Sequence, residues 1–197
     1  MYSRQLQSGF SLVEMLVAVS VLLIIIVGPM TMTSRVAKSS SFATEQVQAF
    51  FLAQEGLELA EKLRDDLLLR HFNSSYATPW TTFNNTGASK PNNLCYIIDS
   101  GDKGCGIDWS NIGGPFRDCN TASNCKLNYK ASATRSKYTY DTTGTIETTP
   151  FSRFIVFENS GSNAVKVTSI VTWRTGSLTT EQRVETSTYL YNIYDKN

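Results

Sequence analysis

The hydrophobic and polar positions of this chain divide it into unlike stretches. From residue 10 to residue 34 nearly every position is apolar, and Glu14 is the only charge. As a helix, residues 10–32 measure about 34 Å, enough to cross the hydrocarbon core of a bilayer. From residue 35 to residue 72 apolar side chains recur at three- and four-residue steps: Phe50, Ala53, Leu57, Ala60, Leu63 and Leu67. This spacing predicts an amphipathic helix with one buried stripe. Glu58 and Lys62 form a favourable i,i+4 pair on its polar side. Together the two stretches predict one long helix, half suited to lipid and half to a folded head. Gly28 and Pro29 interrupt the apolar half, and proline removes a backbone hydrogen bond, which predicts a kink or local melting there.

Residues 73–150 are dominated by turn formers such as NNTG, SKPNN, DSGDKGCG and NIGGP. They predict loops, with short strands at 94–98 and 137–140. The last third reads as antiparallel strands. Residues 153–158 form the first. Residues 164–174 alternate, with Val165, Val167, Val171 and Trp173 on one face. Ile170 breaks the alternation, so both faces are partly covered. Arg174-Thr175-Gly176-Ser177 is a hairpin signal leading into a Thr- and Tyr-rich strand over 180–194. A helix stripe and several antiparallel strands predict an α+β fold with the helix laid on the sheet.

Composition narrows the chemistry. The net charge is +1 and no dense Lys/Arg block occurs, so a nucleic-acid footprint is absent. Four cysteines, Cys95, Cys105, Cys119 and Cys125, fall in the loop-rich stretch. Their wide spacing, with the single histidine His71 far upstream, disfavours zinc and favours two disulfides and an oxidising compartment. Three pairings are open, and the short loops favour Cys95 with Cys105 and Cys119 with Cys125. Asp99, Asp102 and Asp108 hint at an oxygen-ligand calcium loop, but their spacing fails the EF-hand pattern, and an Asp/Gly-rich turn is the better reading. No metal and no cofactor is therefore expected. No nucleophile-elbow, phosphate-loop or H-E-x-x-H string occurs and no C-x-x-C, so no catalytic residue is assigned and the chain is not read as an enzyme.

The apolar run is longer than a secretory signal core, and its small residue, Gly9, precedes it where a signal cleavage site follows. Gly9-Phe10-Ser11-Leu12-Val13-Glu14 and the aliphatic run behind it resemble the N-terminus of type IV pilins and type II secretion pseudopilins. The resemblance implies cleavage between Gly9 and Phe10 by a prepilin peptidase and methylation of the new amine on Phe10. It also implies pairing of that amine with Glu14 of a neighbouring subunit. The string LAQEGLELAEKLRDD and the VTW and TYLYN strings are similar to minor pilins of the PilV-like type.

On this resemblance residues 1–9 are a leader, 10–34 the membrane and filament-core helix, 35–72 its amphipathic continuation, 73–150 a loop-rich cysteine-bearing insert, and 151–197 the antiparallel sheet region. The implied partners are other pilin subunits, the prepilin peptidase, the inner-membrane assembly platform and, before assembly, the lipid bilayer. The implied location is the cytoplasmic membrane, with the head outside the cytoplasm, and then an extracellular pilus or pseudopilus. Two other readings stand beside a structural subunit. One is an adhesin-like head using an aromatic surface around Trp80, Tyr96 and Trp109. The other is a membrane-anchored exported enzyme whose anchor imitates the motif.

Overall fold

The computed structural model describes Gly9 and residues 11–70, 77–84, 95–96, 104–110, 112, 116–120, 125–132, 134–175 and 180–193. Phe10, His71, Asp99, Asp102 and the hairpin residues 176–177 lie outside them, as does most of the expected strand at 94–98. The chain forms two compact units, Met1–Thr44 and Glu45–Asn197.

In the first unit, helix α1 begins at Leu12; its full span is Leu12–Arg70. The helix is unbroken at Pro29. The missing proline N–H costs one rung of the ladder, and nearby hydroxyls bond to the backbone: Thr31 to Gly28 O and Thr33 to Pro29 O, both at 2.8 Å, and Ser34 to Met30 O at 3.1 Å. Melting, one of the two outcomes expected at this dipeptide, is thus not what the helix does here.

The second unit is the head, an α+β layer of the expected class. The remainder of α1 lies on an antiparallel sheet made of β1 (Cys105–Gly106), β2 (Arg117–Asp118), β3 (Lys126–Lys130), β4 (Lys137–Thr139), β5 (Ile146–Asn159), β6 (Ala164–Trp173) and β7 (Gln182–Tyr191). β5 is the spine. One of its edges pairs with β6 from Ser152 to Asn159, and its other edge is shared by β3 and β1. β7 pairs with β6 along all ten residues of register. β4 stands where a short strand was expected, at 137–140, and three further short strands, β1, β2 and β3, occupy the stretch read as loops.

Pro150 sits inside β5 and has no N–H to give. Pairing with β6 starts only beyond it, at Ser152, and the β3 register shifts between Lys126 and Asn128. The hydroxyl of Thr149 donates to Leu127 O at 2.6 Å within that irregularity. The proline is therefore tolerated at a bulge in an otherwise regular central strand.

The buried stripe of α1 differs from the expected one. Ala49, Leu52, Ala53, Leu59, Ala60 and Leu63 are buried, whereas Phe50 is 44% exposed. Leu57 and Leu67 are only partly covered. The small side chains Ala49, Ala53, Gly56 and Ala60 line one side of the helix, which allows the axis to come close to the strands. Phe50 is too large for that seam and lies beside it. Lys62 also pairs differently, reaching Asp66 at 3.8 Å.

Beneath the helix, Ile155 and Phe157 of β5 and Val165 and Val167 of β6 join Leu59, Ala60 and Leu63 in one apolar cluster. Ile170, on the opposite face of β6, is buried as well, so that strand is covered on both sides as its broken alternation indicated. A helix the sequence reading did not anticipate, α2 (Ala77–Asn84), adds Trp80 and Phe83 to the core. Its eight residues are too few to show a helical period among so many Thr and Asn, and its anchors are tertiary. Trp80 Nε1 and Asn84 Nδ2 both donate to Ser162 O at 2.7 Å.

Candidate functional site

The N-terminal end of α1 is built by its backbone. The amides of Glu14 and Met15 donate to Ser11 O at 3.0 and 3.2 Å, so the first turn closes on Ser11. Glu14 lies in that first turn, where the unpaired amides of a helix start favour negative charge. Its side chain is exposed, with no partner among the described residues of its own chain.

The contrast with its neighbours is informative. Ser20, Thr31, Thr33 and Ser34 are the hydroxyl residues of the apolar run beyond Glu14, and each returns its hydroxyl to a carbonyl of the same helix. Their polarity is absorbed locally. Glu14, the one charge of this run, has no such local partner among the described residues.

The apolar residues around it are equally unsatisfied. Leu12, Val13, Leu16, Leu22, Leu23, Ile24 and Ile25 all stand exposed. α1 contains the one span among the described residues long and apolar enough to cross a membrane. A soluble surface does not sustain such a patch; it marks contact with lipid or with other apolar helices. Gly9 is exposed, and a Cβ added there would meet nothing within 4 Å. Packing among the described residues therefore gives no reason for glycine at position 9. Gly28 is likewise in open space.

Two of the head's three aromatic candidates are buried. Trp80 and Tyr96 are each 4% exposed. The hydroxyl of Tyr96 donates to Phe83 O at 2.8 Å, and its ring packs edge-on against Phe157. Trp109 is half-buried and donates through Nε1 to Glu55 Oε1 at 3.0 Å. Trp80 and Tyr96 are core anchors, which corrects the aromatic surface expected around them, whereas Trp109 packs against the core and keeps part of its surface exposed. Burial also pushes the Tyr96 hydroxyl pKa well up, which befits a structural phenol.

Asp108, the one described member of the aspartate trio, is buried and already surrounded by donors. It accepts from Tyr140 N at 3.0 Å, Thr139 Oγ1 at 2.7 Å and Ser110 N at 2.9 Å, and from the Ser110 hydroxyl. Burial alone would raise its pKa, but these hydrogen bonds outweigh it and hold the carboxyl below its ordinary value. It pins the segment after β1 to the end of β4.

All four cysteines are buried, paired as Cys95–Cys105 and Cys119–Cys125. The first bridge joins the segment of Tyr96, which forms an isolated parallel bridge to Phe157, to strand β1. The second closes a short loop between β2 and β3.

The largest electrostatic feature of the head is one the sequence reading missed. Arg153 of β5 is fully buried. Its Nη1 donates to Glu55 Oε2 at 2.8 Å and to Leu52 O at 3.1 Å, its Nη2 to Ile107 O at 3.1 Å, and its Nε to Tyr140 Oη at 3.3 Å. Tyr140 in turn donates to Arg153 O at 2.9 Å. Burial opposes the charge of Arg153, but Tyr140 and Glu55 outweigh it and keep the group protonated. The available signal was an arginine at an inward position of the string Phe151-Ser152-Arg153-Phe154-Ile155.

Residues 4–28 match the family model described as the prokaryotic N-terminal methylation motif. No curated protein and no solved structure gave a match to this chain. The motif and the apolar helix behind it support a type IV pilin-like subunit, processed by a prepilin peptidase and assembling with other pilins. The match covers Gly9, Phe10 and Glu14 and ends at Gly28, so the head is outside it.

Proposed function

We propose that this chain is a minor subunit of a type IV pilus or a related pseudopilus, held in the cytoplasmic membrane by α1 until it is taken into the filament. The observation that carries the reading is Glu14, a carboxylate with no partner among the described residues, in an apolar run whose later hydroxyl residues bond back to their own helix. At a helix centre in lipid a carboxylate costs roughly 2.5–3.5 kcal/mol on insertion scales, an upper bound for one in the first turn. Cleavage after Gly9 creates an α-amine on Phe10, four residues before Glu14 in the sequence. A neighbour's amine offers the carboxylate a positive partner only when subunits stand in the correct axial register. The cost in the membrane thus becomes a preference for the assembled state.

Gly9 fits the same scheme, since an exposed residue without a side chain leaves the scissile bond open to a peptidase. The long sequence between α1 and the central strands, stapled by two disulfides, supports the minor-subunit reading of the PilV-like type. The role is structural, with no catalytic step and no resident cofactor. The head lies outside the cytoplasm in this scheme, where disulfides persist.

N-terminal sequencing and mass spectrometry of the mature protein test the processing step, and the expected start is N-methylated Phe10. Glu14→Ala, expressed beside the assembly machinery, should remain membrane-inserted and disappear from sheared filaments. Unchanged incorporation would overturn the assembly role of Glu14.

A further inference from the structure

Within the head, the solvent side of α1 carries two kinds of surface. At 3.6 residues per turn, Val47, Phe51, Gln54, Glu58 and Glu61 fall on one line, opposite the buried line through Ala49, Ala53, Gly56 and Ala60. The N-terminal end of this outer line is apolar, with Phe51 63% exposed. Its other end is acidic. Glu58 is exposed with no partner among the described residues, and Glu61 is exposed and leans on Arg64 at 3.4 Å.

Beside the apolar end lies a groove of about 340 Å³, walled by Phe51, Trp109, Arg135, Lys137 and Tyr138. Glu55 also lines it, but its oxygens are engaged by Arg153 and Trp109. The groove therefore presents cations: Arg135, stacked 4.9 Å above the Trp109 ring, and Lys137.

We propose that this groove receives the acidic line of α1, Glu58 and Glu61, from a second copy of this chain. The inference rests on the pilin-type reading, which sets the helices of neighbouring subunits parallel in one membrane. The charges are complementary, and the same contact covers Phe51, which the isolated head leaves bare. Seven residues separate Phe51 from Glu58, about 10 Å along the axis, so the two copies must be displaced axially to meet. Such a contact is heterologous: the groove of one copy meets the acids of the other.

Disulfide trapping in the full-length chain, co-expressed with a prepilin peptidase and assembly platform, tests this. One tagged copy carries Ser136→Cys at the groove, and a differently tagged copy carries Lys62→Cys beside the acids. Oxidation should join the two tags. Arg135→Glu with Lys137→Glu in the groove copy should lower that yield about tenfold, in line with loss of shielded charge pairs. Adding Glu58→Lys and Glu61→Lys to the other copy should restore it, a rescue that a misfolded variant could not give. No disulfide between the tags, no response to charge reversal, or trapping of a different subunit by Ser136→Cys would overturn the proposal. N-terminal sequencing of the same samples separates the two levels. A Phe10 start without trapping removes this contact alone, whereas another start removes the pilin-type reading and the contact with it.

Discussion

Arg153 Nη1 stands 2.8 Å from Glu55 Oε2, an ion pair that joins the middle of β5 to α1 across 98 residues of sequence. The same guanidinium reaches the helix carbonyl of Leu52 and the loop carbonyl of Ile107, so one side chain holds three parts of the head together. Burying an arginine is costly, and breaking such a pair from one side costs more than the pair is worth. Glu55 keeps 24% of its side chain exposed, so water can partly replace it. Glu55→Ala is expected to destabilise the head by about 3 kcal/mol, the lower end for a buried pair. Urea unfolding of the full chain in detergent, followed by tryptophan fluorescence, measures it. A midpoint unchanged from wild type would show that the pair does not hold the helix.

Gly56 is one residue further along the helix, at its closest approach to the sheet. A Cβ there would collide with Ser169 Oγ and lie 3.0 Å from Ser169 Cβ and 3.3 Å from Arg153 Cδ. Gly56→Ala should therefore cost about 1–3 kcal/mol despite the better helix propensity of alanine. Ser169 Oγ is buried without a hydrogen-bond partner, so Ser169→Ala alone should be neutral or slightly stabilising. Thermal unfolding of the single and double variants checks both, and the Ser169→Gly background should recover part of the Gly56→Ala loss. A neutral Gly56→Ala would mean that the helix moves away from the strands at little cost.

The two disulfides close short loops, with sequence separations of 10 and 6. Chain-entropy reasoning gives each roughly 2–3 kcal/mol, slightly more for the longer loop. Replacing Cys95 and Cys105 by alanine should cost more than replacing Cys119 and Cys125. The first pair also anchors the segment of Tyr96 against Phe157. Chemical denaturation of the two double variants ranks them, and the reverse order would show that the Tyr96 segment holds without its bridge.

Asp108 gives the head an acid-side weakness. Its folded pKa is lowered, so its contribution to stability is full above the ordinary carboxylate range and is lost as pH falls through the folded value. The melting temperature should therefore drop as pH goes below about 4, the unperturbed aspartate value. Asp108→Asn should be less stable at neutral pH, because its amide turns N–H groups toward donors, and should lose less of its remaining stability on acidification. Melting curves between neutral and strongly acidic pH decide the point, and identical acid slopes for wild type and variant would clear Asp108 of this role.

Some of this protein was fixed by residue order. A long run of mostly apolar side chains dictates a lipid-compatible helix whatever follows it, and Gly9, Phe10 and Glu14 fall within a motif matched by residue order alone. The alternation in β6 and the cysteine spacing are also local, and the strand and both disulfides stand where short-range geometry put them. Other features needed the third dimension. Phe50 lost its place in the helix stripe because the helix packs through small residues, and which face fits a sheet depends on the sheet. Trp80 and Tyr96 read as surface aromatics because they stand among turn formers, yet α2 and a disulfide fold them inward. Arg153 is buried because two carbonyls, a phenol and a carboxylate from distant segments converge on it. Hydrophobic periodicity records what one segment needs from its surroundings, whereas partners for buried charge come from segments brought together only by folding.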